Sequence, residues 1–396
     1  MNKVIGASLL VAGTTIGAGM LALPTVTGRA GMIPTFFLFV FYWLYMIFTS
    51  FLILEVNLWM HERANMISMA RKTLGPAGEL IAWGAYMFLL YALMTAYLAG
   101  SGPLVVGFIE SLTGVNLPDF VGFLPLLLIF GYFVILGAKS VDYVNRILMI
   151  GMGISFFTLS FFLLPHIKPE FLLHRDITAI PLAVSIAATS FGFHIIIPSL
   201  TAYLKRDIAK IRTALWIGST LALVVYLIWE VLTLGIIPVT GPWGIEEGYE
   251  AGSSGAELLT ALLQNPWIAF SGRVFALLAI ITSFLGVSLS LSSCIADGLH
   301  LRQMKAPSWI VDTLTFIPPL FIALVNPRAF LTALEFAGVF GVIFLLAAFP
   351  ACMVWAGRYK KNFEGYRVPG GKGALVATLG IALCLVILEC VSRMQS

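Results

Sequence analysis

The first apolar run of this chain is long enough to cross a bilayer, yet its centre is built from residues that spanning helices usually avoid. Residues 4–26 form the run, and its middle reads Gly13, Thr14, Thr15, Ile16, Gly17, Ala18, Gly19. Glycine is a poor helix former and permits backbone angles closed to other residues. The cluster therefore predicts that the helix unwinds near the membrane midplane. Unwound N–H and C=O groups cannot face lipid, so they must be enclosed by protein or line a cavity. Transporters place their substrates at such breaks. Helix packing is the competing reading, because Gly13 and Gly17 also make a G-x-x-x-G pair. Thr14, Thr15 and Gly19 spread polarity around the whole helix, which favours the break.

The chain is 60% hydrophobic and 11% charged, with a mean hydropathy of +0.98. Soluble domains carry roughly a quarter charged residues, so the composition predicts an all-α polytopic membrane protein. Cys294, Cys352, Cys384 and Cys390 fall in apolar runs without metal-type spacing, and read as small buried hydrophobes. The first run is too long for a signal-peptide core and is followed by no A-x-A site, so it reads as a retained span.

Apolar runs predict eleven spans, near 4–26, 33–60, 80–109, 121–138, 147–165, 179–204, 213–238, 267–296, 308–325, 330–357 and 373–392. No stretch is long enough for a separate soluble domain, so residues 1–396 read as one transport domain. The longest connection, 239–266, reads as an external loop with a short helix beginning at Ser254. With the N-terminus inside, seventeen of the 23 basic residues fall on the cytoplasmic side and six outside. The positive-inside rule then puts the N-terminus in the cytoplasm and the C-terminus outside.

Span 6 repeats the irregularity of span 1. Its centre runs Thr189, Ser190, Phe191, Gly192, Phe193, His194, with Pro198 four residues on. Span 6 comes five spans after span 1, an odd offset, so the two cross the membrane in opposite directions. Residues 1–178 and 179–357 thus read as two inverted halves, and 358–396 as an extra C-terminal helix. Irregular segments at matching positions of two inverted halves point to a secondary-transporter site.

The stretches GTTIGAGMLALP at 13–24 and TSFGFHIIIPSL at 189–200 resemble the bacterial aromatic amino acid permeases. These belong to the amino acid–polyamine–organocation superfamily. The similarity continues through residues 54–56, 91–97, 279–287 and 365–368, nearly the full length. The resemblance implies a five-plus-five inverted-repeat fold in the inner membrane. It also implies proton-driven import of aromatic amino acids, tyrosine above all.

A zwitterionic substrate brings a carboxylate and an ammonium into a low-dielectric cavity. Exposed amides from Thr15 to Gly19, at the start of the outer half-helix, suit the carboxylate. Carbonyls near Ala12, Gly13 and Thr189, with the hydroxyls of Thr14, Thr15 and Ser190, suit the ammonium. Phe191 and Phe193 flank Gly192 and, with Phe284 on span 8, are candidates for the wall against the aromatic ring. Ordinary packing competes for each, since the chain has 30 phenylalanines. Tyr97 resembles in position the tyrosine that closes related sites.

His194 and Glu55 are the proton-coupling candidates, because an ionisable side chain within a span is costly and usually functional. Glu230 and Asp297 are weaker acidic candidates. Related sodium-driven carriers hold the ion with adjacent span 8 hydroxyls, here Thr282 and Ser283, so sodium stays open as the coupling ion. No cofactor, nucleic acid or obligatory protein partner is expected, only substrate and bilayer. A channel would need an open polar pathway, and an enzyme a catalytic constellation that this sequence lacks.

Overall fold

Span 1 breaks at the glycines. In the computed structural model, which describes residues 3–60, 64–298, 308–326 and 328–395, α1 (Lys3–Thr15) ends, Ile16 and Gly17 leave the helix, and α2 (Ala18–Thr27) restarts bent by 53°. Gly17 is extended, at φ −159° and ψ −156°, and forms the N-cap of α2. After α3 (Met32–Leu58) a capping box starts α4 (Met66–Thr113). Asn65 Oδ1 accepts from Ser68 N at 2.8 Å, while Asn65 N donates to Ser68 Oγ at 3.0 Å. Gly75, at φ 81°, turns the chain into the transmembrane part of α4 just before Pro76.

α5 (Asp119–Leu136) and α6 (Ala138–Leu163) complete the first half. Span 6 then consists of α7 (Ile180–Ser190), an irregular stretch through Phe193, a 3-10 turn over His194–Ile196, and α8 (Ile197–Tyr203). Pro198 sits in the first turn of α8, where its missing N–H costs no helical bond. The chain continues through α9 (Ile208–Leu234), two short helices α10 (Ile245–Ala251) and α11 (Gly255–Leu263), and α12 (Pro266–Gly298). It ends with α13 (Ser308–Val325), α14 (Ala329–Tyr359) and α15 (Gly371–Gln395). Within α14, Ala337–Ala348 is wound as a π-helix.

Among the described residues nine helices are long and apolar enough to cross a membrane, or ten with the bent pair α1–α2 taken as one span. The segment expected as span 9 is a shorter apolar helix, so length alone does not reach the expected eleven. Asp297's side chain, Arg63, Arg302 and Lys305 lie outside the described residues. All four cysteines are free. Cys294 is buried as expected, but Cys384 and Cys390 are exposed on the outward face of α15, a correction to the reading of all four as buried.

Packing places the two breaks side by side. α1 lies along α9, α2 lies on α7, and α12 packs between α4 and α6. Large apolar side chains such as Leu128, Phe157, Phe161 and Leu383 point outward from α5, α6 and α15, a surface suited to lipid. The connection 239–266 folds back onto α2. Thr25 Oγ1 donates to Ser253 O at 2.9 Å, and Ser254 caps α11 in a second capping box with Glu257.

Candidate substrate site

A cavity of about 320 Å³ lies between the breaks, within the range of small-molecule sites. Gly13, Thr14, Thr15, Gly17, Ala18 and Gly19 line it from span 1. Thr189, Ser190 and Gly192 line it from span 6, with Tyr97 from α4 and Thr282 and Ser283 from α12. Ile16 is outside this lining and packs against the core.

Fewer amides are free than the sequence suggested. Ile16 N donates to Ala12 O at 2.7 Å, Met20 N to Gly17 O at 3.1 Å, and Ala18 N to Ser283 Oγ at 3.1 Å. Of the expected group, Gly17 N and Gly19 N have no protein acceptor among the described residues. Both belong to the N-terminal end of α2, where the helix dipole favours an anion.

The hydroxyls present lone pairs. Thr14 Oγ1 donates to Leu10 O, Thr15 Oγ1 to Val11 O and Ser190 Oγ to Ile186 O, each at 2.8 Å. A hydroxyl whose hydrogen is committed to its own helix can only accept from a ligand, which suits an ammonium. Thr15 O and Ser190 O are both approached by the Tyr226 hydroxyl of α9, at 2.6 and 2.7 Å. Tyr226 was missed, because a tyrosine inside an apolar run carries no distinguishing signal.

The apolar wall of the cavity comes from Leu89, Leu90 and Leu93 on α4 and from Val342 and Leu346 on the π-helical stretch of α14. The phenylalanines singled out in the sequence lie elsewhere. Phe191 packs edge-on against Phe39 and Tyr226, Phe193 stacks on His194, and Phe284 stacks on Phe316. All three are buried and outside the cavity lining. Nothing in the sequence separated the wall residues from other apolar side chains.

His194 is fully buried, with Nε2 2.8 Å from Thr49 Oγ1 and no partner on Nδ1. It borders a second cavity, of about 490 Å³, on the side that carries the N-terminus and the α3–α4 turn. Tyr86, Ile195, Ser199 and Ser290 line both cavities and so stand between them. Glu55 is away from either one. Its carboxylate is fully buried and takes Arg358 Nε on Oε1 at 2.6 Å and Val368 N on Oε2 at 2.7 Å. Arg358 Nη2 adds a further bond to Oε2. Thr282 Oγ1 donates along its own helix to Leu278 O and Ala279 O.

Two interrupted spans facing one central cavity, in a bundle of membrane-length helices, define a membrane transporter of the inverted-repeat class. A solved structure, MhsT in complex with L-phenylalanine, has the same fold: TM-score 0.65, 98% of both chains covered, 15% identity. The Tyrosine-specific transport system 2 of Haemophilus influenzae is 33% identical over 397 residues, covering 98% of this chain and 96% of its own. The Tryptophan-specific transport protein of the same organism is 32% identical over 383 residues, covering 93% and 91%. The chain belongs to the Tryptophan/tyrosine permease family, whose profile matches residues 1–389. These relatives are transport proteins rather than enzymes.

Proposed function

We propose that the protein imports an aromatic amino acid, tyrosine first, across the bacterial inner membrane by proton symport with alternating access. The N-terminus is cytoplasmic and the C-terminus external, as the basic residues divide. One observation carries the reading. The acceptorless amides of Gly17 and Gly19 share a cavity with acceptor hydroxyls and an apolar wall, which are the three surfaces that carboxylate, ammonium and ring require. The relatives' names and the phenylalanine held by MhsT support the aromatic class.

The two cavities support alternating access. α10 and α11 cover the outer end of α2, while only a thin wall divides the central cavity from the one on the N-terminal side. His194 borders that second cavity, which supports its reading as the residue that hands a proton to the cytoplasm. His194→Gln should then impair pH-driven accumulation more than exchange at equilibrium.

Sodium is the second reading, because Thr282 and Ser283 face the cavity with an oxygen set that suits a hard cation. Reconstituted vesicles with pH and sodium gradients imposed separately decide between them. Labelled tyrosine accumulating under an inward proton gradient, and being displaced by tryptophan more than by leucine, is the expected result. Accumulation under sodium alone, or none under either, contradicts it.

A further inference from the structure

Glu230, on α9 one turn beyond Tyr226, is fully buried yet has a single polar contact. Its Oε2 lies 3.0 Å from Thr27 Oγ1 at the end of α2, and its Oε1 has no hydrogen-bond partner. The Thr27 hydroxyl has one hydrogen, and Leu23 O lies 2.8 Å away in position to accept it. A protonated carboxyl satisfies the whole chain: Glu230 donates to Thr27, and Thr27 donates to Leu23 O. An ionised carboxylate would have to take that hydrogen from Leu23 O. It would then be a fully desolvated charge held by one neutral hydrogen bond.

Among the described residues no cation compensates such a charge. α1 and α2 carry no ionisable side chain except Lys3 at the far end of α1. On α3, Tyr45 donates to Thr378 O, Glu55 is held by Arg358, and Tyr42 is fully buried without a hydrogen-bond partner. On α6, Lys139, Asp142, Tyr143 and Arg146 lie at the opposite end, and beyond it His166 bonds Phe162 O. Lys168 sits over the Phe171 ring, Glu170 is exposed, and His174 bonds Arg29 O. Arg29, just after α2, faces Glu246 at 3.8 Å. On α9 itself, Lys210 and Arg212 lie at the other end, and Tyr226 is engaged with Thr15 O and Ser190 O.

We propose that Glu230 is a proton-binding site that fastens the outer half of the broken span. It is neutral while α2 packs on α9, and gives its proton to water when α2 swings outward and wets the carboxyl. Re-protonation from the external side then closes α2 over a loaded cavity, so external acidity favours the closed, loaded form. This rests on proton-driven import and states where external protons act on the outer gate; the proton that Glu230 binds returns to the external side when α2 reopens.

The test uses the full chain in vesicles and two readouts. In wild type, the KM for tyrosine should rise by about tenfold per pH unit once the external side is alkaline enough to ionise Glu230. In Glu230→Gln, which keeps a donor to Thr27, the KM should be flat over the same range. Difference infrared spectra at neutral pH should show a deuterium-sensitive carboxylic-acid C=O band that is absent in Glu230→Gln. If Glu230→Gln fails to reach the membrane, Thr27→Val carries the test, and should displace both the infrared band and the pH at which KM begins to rise. Unchanged pH dependence in these variants, or no lost band, overturns the proposal. If wild type ignores an imposed pH gradient, proton symport fails with it; if wild type and Glu230→Gln respond alike, only the role of Glu230 fails.

Discussion

Ser283 Oγ accepts the N–H of Ala18 at 3.1 Å, joining α12 to the first residue of α2. The same oxygen explains the glycine beside it. A Cβ at residue 17 would lie 2.4 Å from Ser283 Oγ but 3.7 Å from Ser283 Cβ. Gly17 is therefore required first by the approach of α12. Gly17→Ala should lose most tyrosine uptake, and adding Ser283→Ala should restore much of it. Because the two side chains touch, their effects should be non-additive by about 1 kcal/mol or more. Thermal unfolding and uptake of the two single variants and the double variant check this. Additive losses would assign the need for a bare Cα at residue 17 to the substrate's approach instead of to Ser283.

Tyr226 has one hydrogen for two carbonyls, Thr15 O and Ser190 O, the chain ends of the two half-helices that meet at the cavity. Tyr226→Phe preserves the ring packed between Phe39 and Phe191 and removes only the hydroxyl. Buried carbonyls left without a donor should cost about 1–3 kcal/mol. The expected outcome is a lowered unfolding temperature together with weakened tyrosine binding in detergent.

Glu55 and Arg358 form a buried bidentate ion pair that also ties down the backbone of Val368. Removing one partner leaves an uncompensated charge, so Arg358→Met should destabilise by about 3–5 kcal/mol. The double variant Glu55→Met/Arg358→Met should recover a large part of that loss. Folded yield and unfolding temperature of the three variants decide it. On this account Glu55 is a structural anchor, and pH-driven accumulation per folded molecule should survive in the double variant.

The breaks were legible because glycine and proline stand out against apolar sequence. The capped start of α11 at Ser254 was legible for a different reason: Ser254 and Glu257 are capping-box residues at the right spacing. The cavity wall was not legible. Leu89, Leu93, Val342 and Leu346 look like any lipid-facing residue until the fold selects their side of the helix. Phe191 and Phe193 were singled out for adjacency to Gly192, but the irregular turn directs both into the packed bundle. The partner of Glu55 lies 303 residues away, beyond the reach of any local pattern.

Glu257, in the connection that covers α2, should make stability depend on pH. Burial raises its carboxyl from 4.5 to about 7. Below the unfolded value both states are protonated and nothing is lost. Between about 4.5 and about 7 the unfolded chain ionises first, so stability falls as pH rises through that window. Unfolding temperatures measured across it should decline in wild type and flatten in Glu257→Gln, which keeps the capping acceptor.

The central claim is that the free amides of Gly17 and Gly19 hold the substrate's carboxylate. Competition by tyramine, which keeps the ring and ammonium of tyrosine but lacks the carboxylate, tests it most directly. Charge-assisted hydrogen bonds contribute about 1.5–3 kcal/mol each, so tyramine should bind purified protein at least about tenfold more weakly than tyrosine. Tyramine displacing labelled tyrosine as well as tyrosine itself does would contradict the account.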